Sequence, residues 1–260
     1  MRCVNIIEKL NELSPVSYAA EWDNVGLLVG NEEKEIKSVY IALDATDEVI
    51  DRAAECGADL LLTHHPMIFK AIKRVNETDI TGRRIIRLIR GDICYYAMHT
   101  NFDVMGMADA AADEIALKDR EVLEVTYKDE IGEEGFGRIG KLSHSMTLSE
   151  CAEFVRESFH LSHVKVFGNP ETVLKTAAIL PGSGKSTIAS ALGKNADVLI
   201  TGDIDHHEGI DAVAAGMAVI DAGHFGIEKI FVPYMRQYLE RECRDLTIYE
   251  DHSPEPFLIF

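Results

Sequence analysis

Apolar positions along the chain fall into two alternating patterns, short runs that are apolar almost throughout and longer stretches with apolar residues every three or four positions. "SVYIALD" (38–44) reads as a strand. "TDEVIDRAAECG" behind it reads as a helix, with Thr46 at the N-cap, acids in the first turn and Gly57 as the stop. "ADLLLT" (58–63) and "ICYYAM" (93–98) have the length and composition of short buried strands. In "MRCVNIIEKLNELSP" the spacing puts Ile6, Ile7, Leu10 and Leu13 on one helical face, and "TLSECAEFVRESF" opens with Thr147 and Glu150 in capping-box register. Strands alternating with helices in this way predict an α/β protein whose sheets are covered by helices on both faces.

The pattern also repeats. Residues 41–65 lie over residues 178–203 with nearly constant spacing, and the strand at 58–63 matches the one at 196–201. Further on, His99-x-x-x-Asp103 has a counterpart in His224-x-x-x-Glu228. Two features in the same order predict an internal duplication. The glycine-rich "IGEEGFGRIG" (131–140) is the best candidate for a boundary, and it matches G-x-G-x-x-G at Gly135, Gly137 and Gly140. A dinucleotide loop requires a buried strand leading into a helix, whereas the preceding segment is acidic and polar. The stretch is therefore expected to be a turn entering a strand.

Composition narrows the function classes. The 260 residues are 47% hydrophobic and 27% charged, as in an ordinary globular protein, and 44 acidic against 26 basic residues leave a net charge of −18. That balance argues against a surface that tracks nucleic-acid phosphates, and an anionic ligand would need a local cationic device. The five cysteines are scattered with no C-x-x-C, which suits a reducing compartment and neither a disulfide framework nor a zinc ribbon. No run is long enough for a membrane span and the N-terminus lacks the apolar core of a signal peptide, so a cytoplasmic location is expected.

"LPGSGKST" (180–187) looks like a P-loop, but the first glycine of G-x-x-x-x-G-K-[ST] falls on Ile179. By the internal repeat this stretch takes the place of "LDATDEVI", at the carboxyl end of a strand, where Ser183 or Ser186 and backbone amides would face a bound anion. The alternative is a tight turn that needs glycine only for backbone shape.

Histidines mark the other strand ends. "LLLTHHPMIF" puts His64 and His65 after a buried strand, and Pro66 ends its regular course. "AMHTNFD" adds His99 and Asp103, and "VIDAGHFGIE" adds His224 and Glu228, a pair at i,i+4 that shares one face if the segment is helical. Ligands of open α/β sheets bind at the carboxyl ends of strands, and three such ends bearing His-His, His/Asp and His/Glu predict a metal site. Nitrogen and carboxylate donors without thiolate suit Zn, Mn, Fe, Ni or Co. So many donors exceed the three that a single catalytic zinc takes, and point to two divalent ions per subunit with a bridging carboxylate. "TGDIDHHEG" (201–209) either starts a helix or lines the pocket through Asp203 and His207.

In their order, "EWDNVGLLVG", "LLLTHHPMIF", "AMHTNFDV", "TGDIDHHEGIDA" and "IDAGHFGIE" resemble the Nif-three-like family, whose members are often labelled GTP cyclohydrolase 1 type 2 homologues. The chain resembles the short form, without the large central insert. The resemblance implies two intertwined, similar α/β halves with mixed sheets and a dinuclear metal site between them, the first half spanning 1–127 completed by 220–260 and the second 128–219. It implies His64, His65, Asp103, His224 and Glu228 as ligands, Glu228 as the bridge, His99 as a supporting or proton-transfer residue, and a homohexamer. The activity implied is metal-dependent hydrolysis of a nucleotide-like or other anionic small molecule. The competing expectation is a non-catalytic metal- or metabolite-binding scaffold or regulator.

Overall fold

Each long apolar run becomes a strand at the centre of a sheet. A computed structural model describes residues 1–130 and 132–259, in two compact units, Met1–Phe102 with Phe231–Phe260, and Asp103–Ile230. The first unit begins with α1 (Cys3–Leu13), β1 (Gly26–Val29), β2 (Ser38–Ala42), α2 (Asp47–Glu55), β3 (Leu60–Thr63), α3 (Ile80–Arg90), β4 (Cys94–Ala97) and the one-turn α4 (Thr100–Phe102). The second unit opens on a π-helical turn (Asp103–Met107) and continues through α5 (Ala108–Glu114), β5 (Lys118–Lys128), β6 (Glu133–Thr147), α6 (Leu148–Ser158), β7 (Lys165–Phe167) and β8 (Val173–Ser183). It ends with α7 (Ile188–Gly193), β9 (Val198–Gly202), α8 (His206–Ala214), β10 (Ala218–Asp221) and α9 (His224–Glu228), after which α10 (Phe231–Glu242) and β11 (Thr247–Glu250) belong to the first unit again.

In the first unit the sheet order is β1-β4-β3-β2-β11, with β1 antiparallel to β4 and every other pair parallel. All residues of β2, β3 and β4 are buried, the signature of parallel strands covered on both faces. Tyr40, Ala42, Leu61, Tyr95 and Ala97 share one core with Val49, Ile50 and Ala53 of α2 and Leu88 of α3. The Thr46 side chain accepts the Val49 amide at 3.2 Å, so α2 starts where the sequence places its cap. Such a cap contributes about 1 kcal/mol. Because Thr63 and Ala97 are paired across parallel β3 and β4, the residues that follow both strands emerge along one edge.

In the second unit the order is β5-β6-β8-β9-β10-β7, with β8, β9 and β10 parallel and the other pairs antiparallel. Period-two alternation divides the side chains between two cores. Ile179, Val198, Ile200 and Ile220 pack with Cys151, Val155 and Phe159 of the α6 segment, whereas Ala178, Leu180, Leu199 and Val219 pack with Ala191, Ala212 and Met217. The capping box of α6 is complete, with the Thr147 hydroxyl accepting the Glu150 amide and Glu150 accepting the Thr147 amide. Each sheet thus contains a consecutive parallel run, β2-β3-β4 or β8-β9-β10, with an antiparallel strand, β1 or β7, beside the last of them, and in the first sheet β11 extends the parallel run beyond β2.

The glycine-rich stretch enters a strand, as its sequence context predicts. Gly135, Gly137 and Gly140 lie inside the fifteen-residue β6, and no helix follows them as a dinucleotide loop requires. A side chain at Gly135 or Gly140 would collide with the Glu124 or Lys118 carbonyl of β5, so close strand approach explains both glycines. Ile131, the first residue of that stretch, lies outside the described residues. Among the described residues no helix is long and apolar enough to cross a membrane.

Candidate functional site

Three imidazoles gather within the first unit. His64 and His65 follow β3 and His99 follows β4, and one ring nitrogen from each lies within 4.8 Å of the others. The turn that carries the first two is braced. Thr63 Oγ1 and the Tyr95 hydroxyl both donate to the His65 carbonyl, at 2.8 and 2.9 Å, and the Met67 amide donates to the Tyr95 hydroxyl at 2.7 Å. Pro66 prevents continuation of the strand, so the backbone turns there instead of extending the ladder.

Each imidazole has its Nδ1 held by oxygen. His64 Nδ1 lies 2.8 Å from the Met98 carbonyl, His65 Nδ1 2.8 Å from Asp44 Oδ1, and His99 Nδ1 2.9 Å from Asp23 Oδ1. A carbonyl or carboxylate only accepts, so Nδ1 carries the proton and Nε2 the lone pair. This is how metal-ligating histidines are oriented by their hydrogen-bond partners. Burial alone would raise the Asp23 carboxyl, but hydrogen bonds from His99 and Thr100 outweigh it and bring it down to about 2. Asp23 is therefore anionic throughout the physiological range.

Within the second unit, α9 begins at His224 and brings His224 Nε2 to 2.9 Å from Glu228 Oε2, the i,i+4 meeting anticipated from the sequence. Asp203 Oδ2 lies 2.8 Å from His224 Nδ1, which extends the same Nδ1-on-oxygen arrangement to a fourth histidine. Asp203 has a left-handed backbone (φ 57°), a conformation aspartate adopts more readily than most residues other than glycine. Burial would lower the His224 imidazole, but Glu228 and Asp203 reverse that and raise it from 6.5 to about 9. Glu228 is 3% exposed, and a carboxylate oxygen of Asp103 lies within 4.8 Å of one of its own. Two carboxylates at that range favour a cation between them.

The donors in both units are imidazole and carboxylate with no thiol, a set that fits borderline and hard divalent ions. His64, His65 and His99 come together in one unit and Asp103, His224 and Glu228 in the other. His207 is exposed in the first turn of α8, its ring 5.2 Å from that of His206. Ser183 is exposed at the end of β8, and Ser186 is exposed in the short 3-10 turn Lys185–Thr187.

Gly182 explains why the "LPGSGKST" stretch is rich in glycine. Its φ is 76°, and a Cβ there would overlap Glu228 Oε1 and come within 3.7 Å of His224 Nε2. Gly184 is pressed against the Thr201 side chain, and Lys185 Nζ lies 3.6 Å from Asp205. The loop is thus shaped around the carboxylate of Glu228.

Sequence reasoning misses Asp23 and Asp44 as functional residues, although each sits in a motif or strand that it singles out. Their partners are 76 and 21 positions away, and nothing local marks an aspartate as a histidine's acceptor.

The chain is similar to proteins of known sequence and of known structure. The GTP cyclohydrolase 1 type 2 homolog of Clostridium perfringens is 33% identical over 261 residues, covering 99% of this chain and 99% of its own. HcgD from Methanocaldococcus jannaschii superposes with a TM-score of 0.85 at 31% identity, over 97% of this chain and 98% of that one. A Bacillus cereus protein related to NIF3 shares the fold with a TM-score of 0.91 at 24% identity, over 100% of this chain and 99% of that one. A family model described as Duf34/NIF3 (NGG1p interacting factor 3) matches residues 1–254, and the protein belongs to that family.

Proposed function

We propose that the protein is a dinuclear-metal-dependent hydrolase of a nucleotide-like or otherwise anionic small molecule, with His64, His65, Asp103, His224 and Glu228 as the ligands of two divalent ions. The observation that carries this reading is the shared state of His64, His65 and His99, each with Nδ1 on an oxygen acceptor, which makes Nε2 the nitrogen suited to a metal; His224 Nδ1 is held likewise by Asp203, with its Nε2 against the Glu228 carboxylate. The Clostridium perfringens relative's name supports a hydrolytic reading of the same family. The common strand pattern of the two sheets supports an origin by duplication.

Bound divalent ions would supply Lewis acidity and lower the pKa of a water. The chain's own residues then do the rest. Met98, Asp44 and Asp203 orient His64, His65 and His224 through Nδ1, which raises the basicity of Nε2. Asp23 does the same for His99, and the closeness of His99 to the other two imidazoles supports a role in moving a proton at Nε2. Gly182 keeps clear the space in which the Glu228 carboxylate lies. Ser183 and Ser186 are the hydroxyls we assign to an anionic part of the substrate; Asp203 we assign to His224 rather than to substrate.

Metal content of protein purified without added metal, followed by turnover screening of nucleotides and phosphoesters with wild type and Glu228→Gln, tests this. Stoichiometric metal and turnover that Glu228→Gln loses are expected. Stoichiometric metal with the same background turnover in both proteins would replace the hydrolase with the binding scaffold. Homohexamer formation is proposed from the family resemblance, and the solution mass by light scattering checks it.

A further inference from the structure

The chain's single tryptophan is left largely in solvent, with Trp22 60% exposed. Phe69, itself 46% exposed, lies beside it with ring centroids 5.7 Å apart and planes at 53°. Burying an aromatic side chain ordinarily stabilises a fold, so leaving two of them side by side in water forgoes a large gain. Both rings also stand against His99, edge-on, at 6.1 Å for Trp22 and 6.3 Å for Phe69. All three belong to the first unit.

Neither ring is there by default. Trp22, Asp23 and Asn24 are consecutive, and each of the last two is anchored. The Asp23 side chain is fully buried and accepts from His99 Nδ1 and from the Thr100 amide at 2.9 and 3.0 Å. Asn24 Nδ2 donates to the Ile68 carbonyl at 2.6 Å, which ties the tryptophan's segment to the residue before Phe69. The Asp23 carboxylate that orients an imidazole of the histidine cluster is thus on the residue next to the exposed tryptophan. These bonds hold two aromatic faces ready at the rim of the cluster.

We propose that Trp22 and Phe69 form a platform for a planar nitrogen-heteroaromatic ring, such as a nucleobase, in the molecule handled at the adjacent imidazoles. This rests on the hydrolase reading for what happens to that molecule, and on the aromatic geometry alone for its binding. The rings are too close to sandwich a base, which needs roughly 7 Å, twice a 3.5 Å contact. A base therefore lies across the tilted pair, with one edge toward His99. Aromatic faces also attract cations, but a divalent ion held by His64 and His65 beside His99 disfavours a cationic ligand there. A neutral π-face suits the position.

Because Trp22 is the only tryptophan, fluorescence excited at wavelengths beyond tyrosine absorption reports on this platform alone. GMP and AMP are titrated against ribose 5-phosphate, which keeps the phosphate and lacks the ring. Metal content is measured on the same preparations. Saturable quenching by at least one nucleotide is expected, with none by ribose 5-phosphate. Phe69→Ala should weaken nucleotide binding by about 5- to 150-fold, which corresponds to ~1–3 kcal/mol of stacking per base at about 1.4 kcal/mol per tenfold. Phe69→Tyr should restore it, and both variants should keep wild-type metal content. Quenching by neither nucleotide, equal response to ribose 5-phosphate, or unchanged affinity in Phe69→Ala overturns the platform. Metal binding without nucleotide quenching defeats the platform and spares the metal reading; quenching without metal does the reverse.

Discussion

Replacing Gly182 by alanine adds one methyl group at a position that is itself no ligand. Two consequences follow from the geometry, and they separate. At φ 76° an L-residue with a Cβ is strained, by about 1–2 kcal/mol. At about 2–4 °C per kcal/mol for a chain of this size, the metal-free protein should melt ~2–8 °C lower. The new methyl would also overlap Glu228 Oε1, whereas its 3.7 Å approach to His224 Nε2 is ordinary contact. A carboxylate at the end of a flexible side chain moves more readily than backbone, so Glu228 yields and His224 stays. Misplacing one carboxylate should lower metal affinity by about 10–100-fold, the range seen when a ligand's support is removed. Gly193→Ala is the control, since its Cβ meets nothing within 4 Å at the end of α7, and it should leave metal affinity unchanged. Competition against a chromophoric chelator, with thermal melts of metal-free protein, measures both effects. A lower melt with undiminished affinity would show that the Glu228 carboxylate does not hold a metal.

Three further outcomes are expected. Asp44→Ala removes the acceptor of His65 Nδ1 and should cost about 10–100-fold in metal affinity with the fold intact by circular dichroism. The His224 imidazole, raised to about 9 in the metal-free protein, contributes stability that is complete below its unfolded value of 6.5 and is lost as pH rises to about 9. Metal-free melts should fall across that window more in wild type than in His224→Gln, while metal affinity gains up to about tenfold per pH unit as the competing proton leaves. Among the cysteines only Cys56 is exposed, so iodoacetamide should label one thiol in the native protein, identified by peptide mass, and the remaining four only after denaturation.

What could be read in advance follows the range of the interactions. The cap of α2 at Thr46, the capping box of α6 and the meeting of His224 with Glu228 each span three or four positions and leave a local mark. The central strands are legible because full burial demands unbroken apolar runs. Where a residue's role depends on a distant partner, the signal disappears. Asp23 supports His99 from 76 positions away, and Asp203 supports His224 from 21. Local reading therefore allows Asp203 to be either a pocket residue or part of a helix start. Gly135 and Gly140 resemble a nucleotide loop because close strand approach and close phosphate approach both demand glycine; the acidic segment before them argues against the loop, and the pairing with β5 shows what the glycines are for. The π-helical turn that starts at Asp103 carries no mark in the sequence that we can identify.

Whether two divalent ions are held by the histidine and carboxylate donors of these two units can be seen in crystals grown with Zn or Mn and measured at the metal's absorption edge. Two anomalous peaks about 3.5–4 Å apart are expected, with His64 and His65 Nε2, His224 Nε2 and the Asp103 and Glu228 carboxylates as their ligands. Fully loaded crystals with no peak at these donors, or with ions held by other residues, would contradict the metal reading.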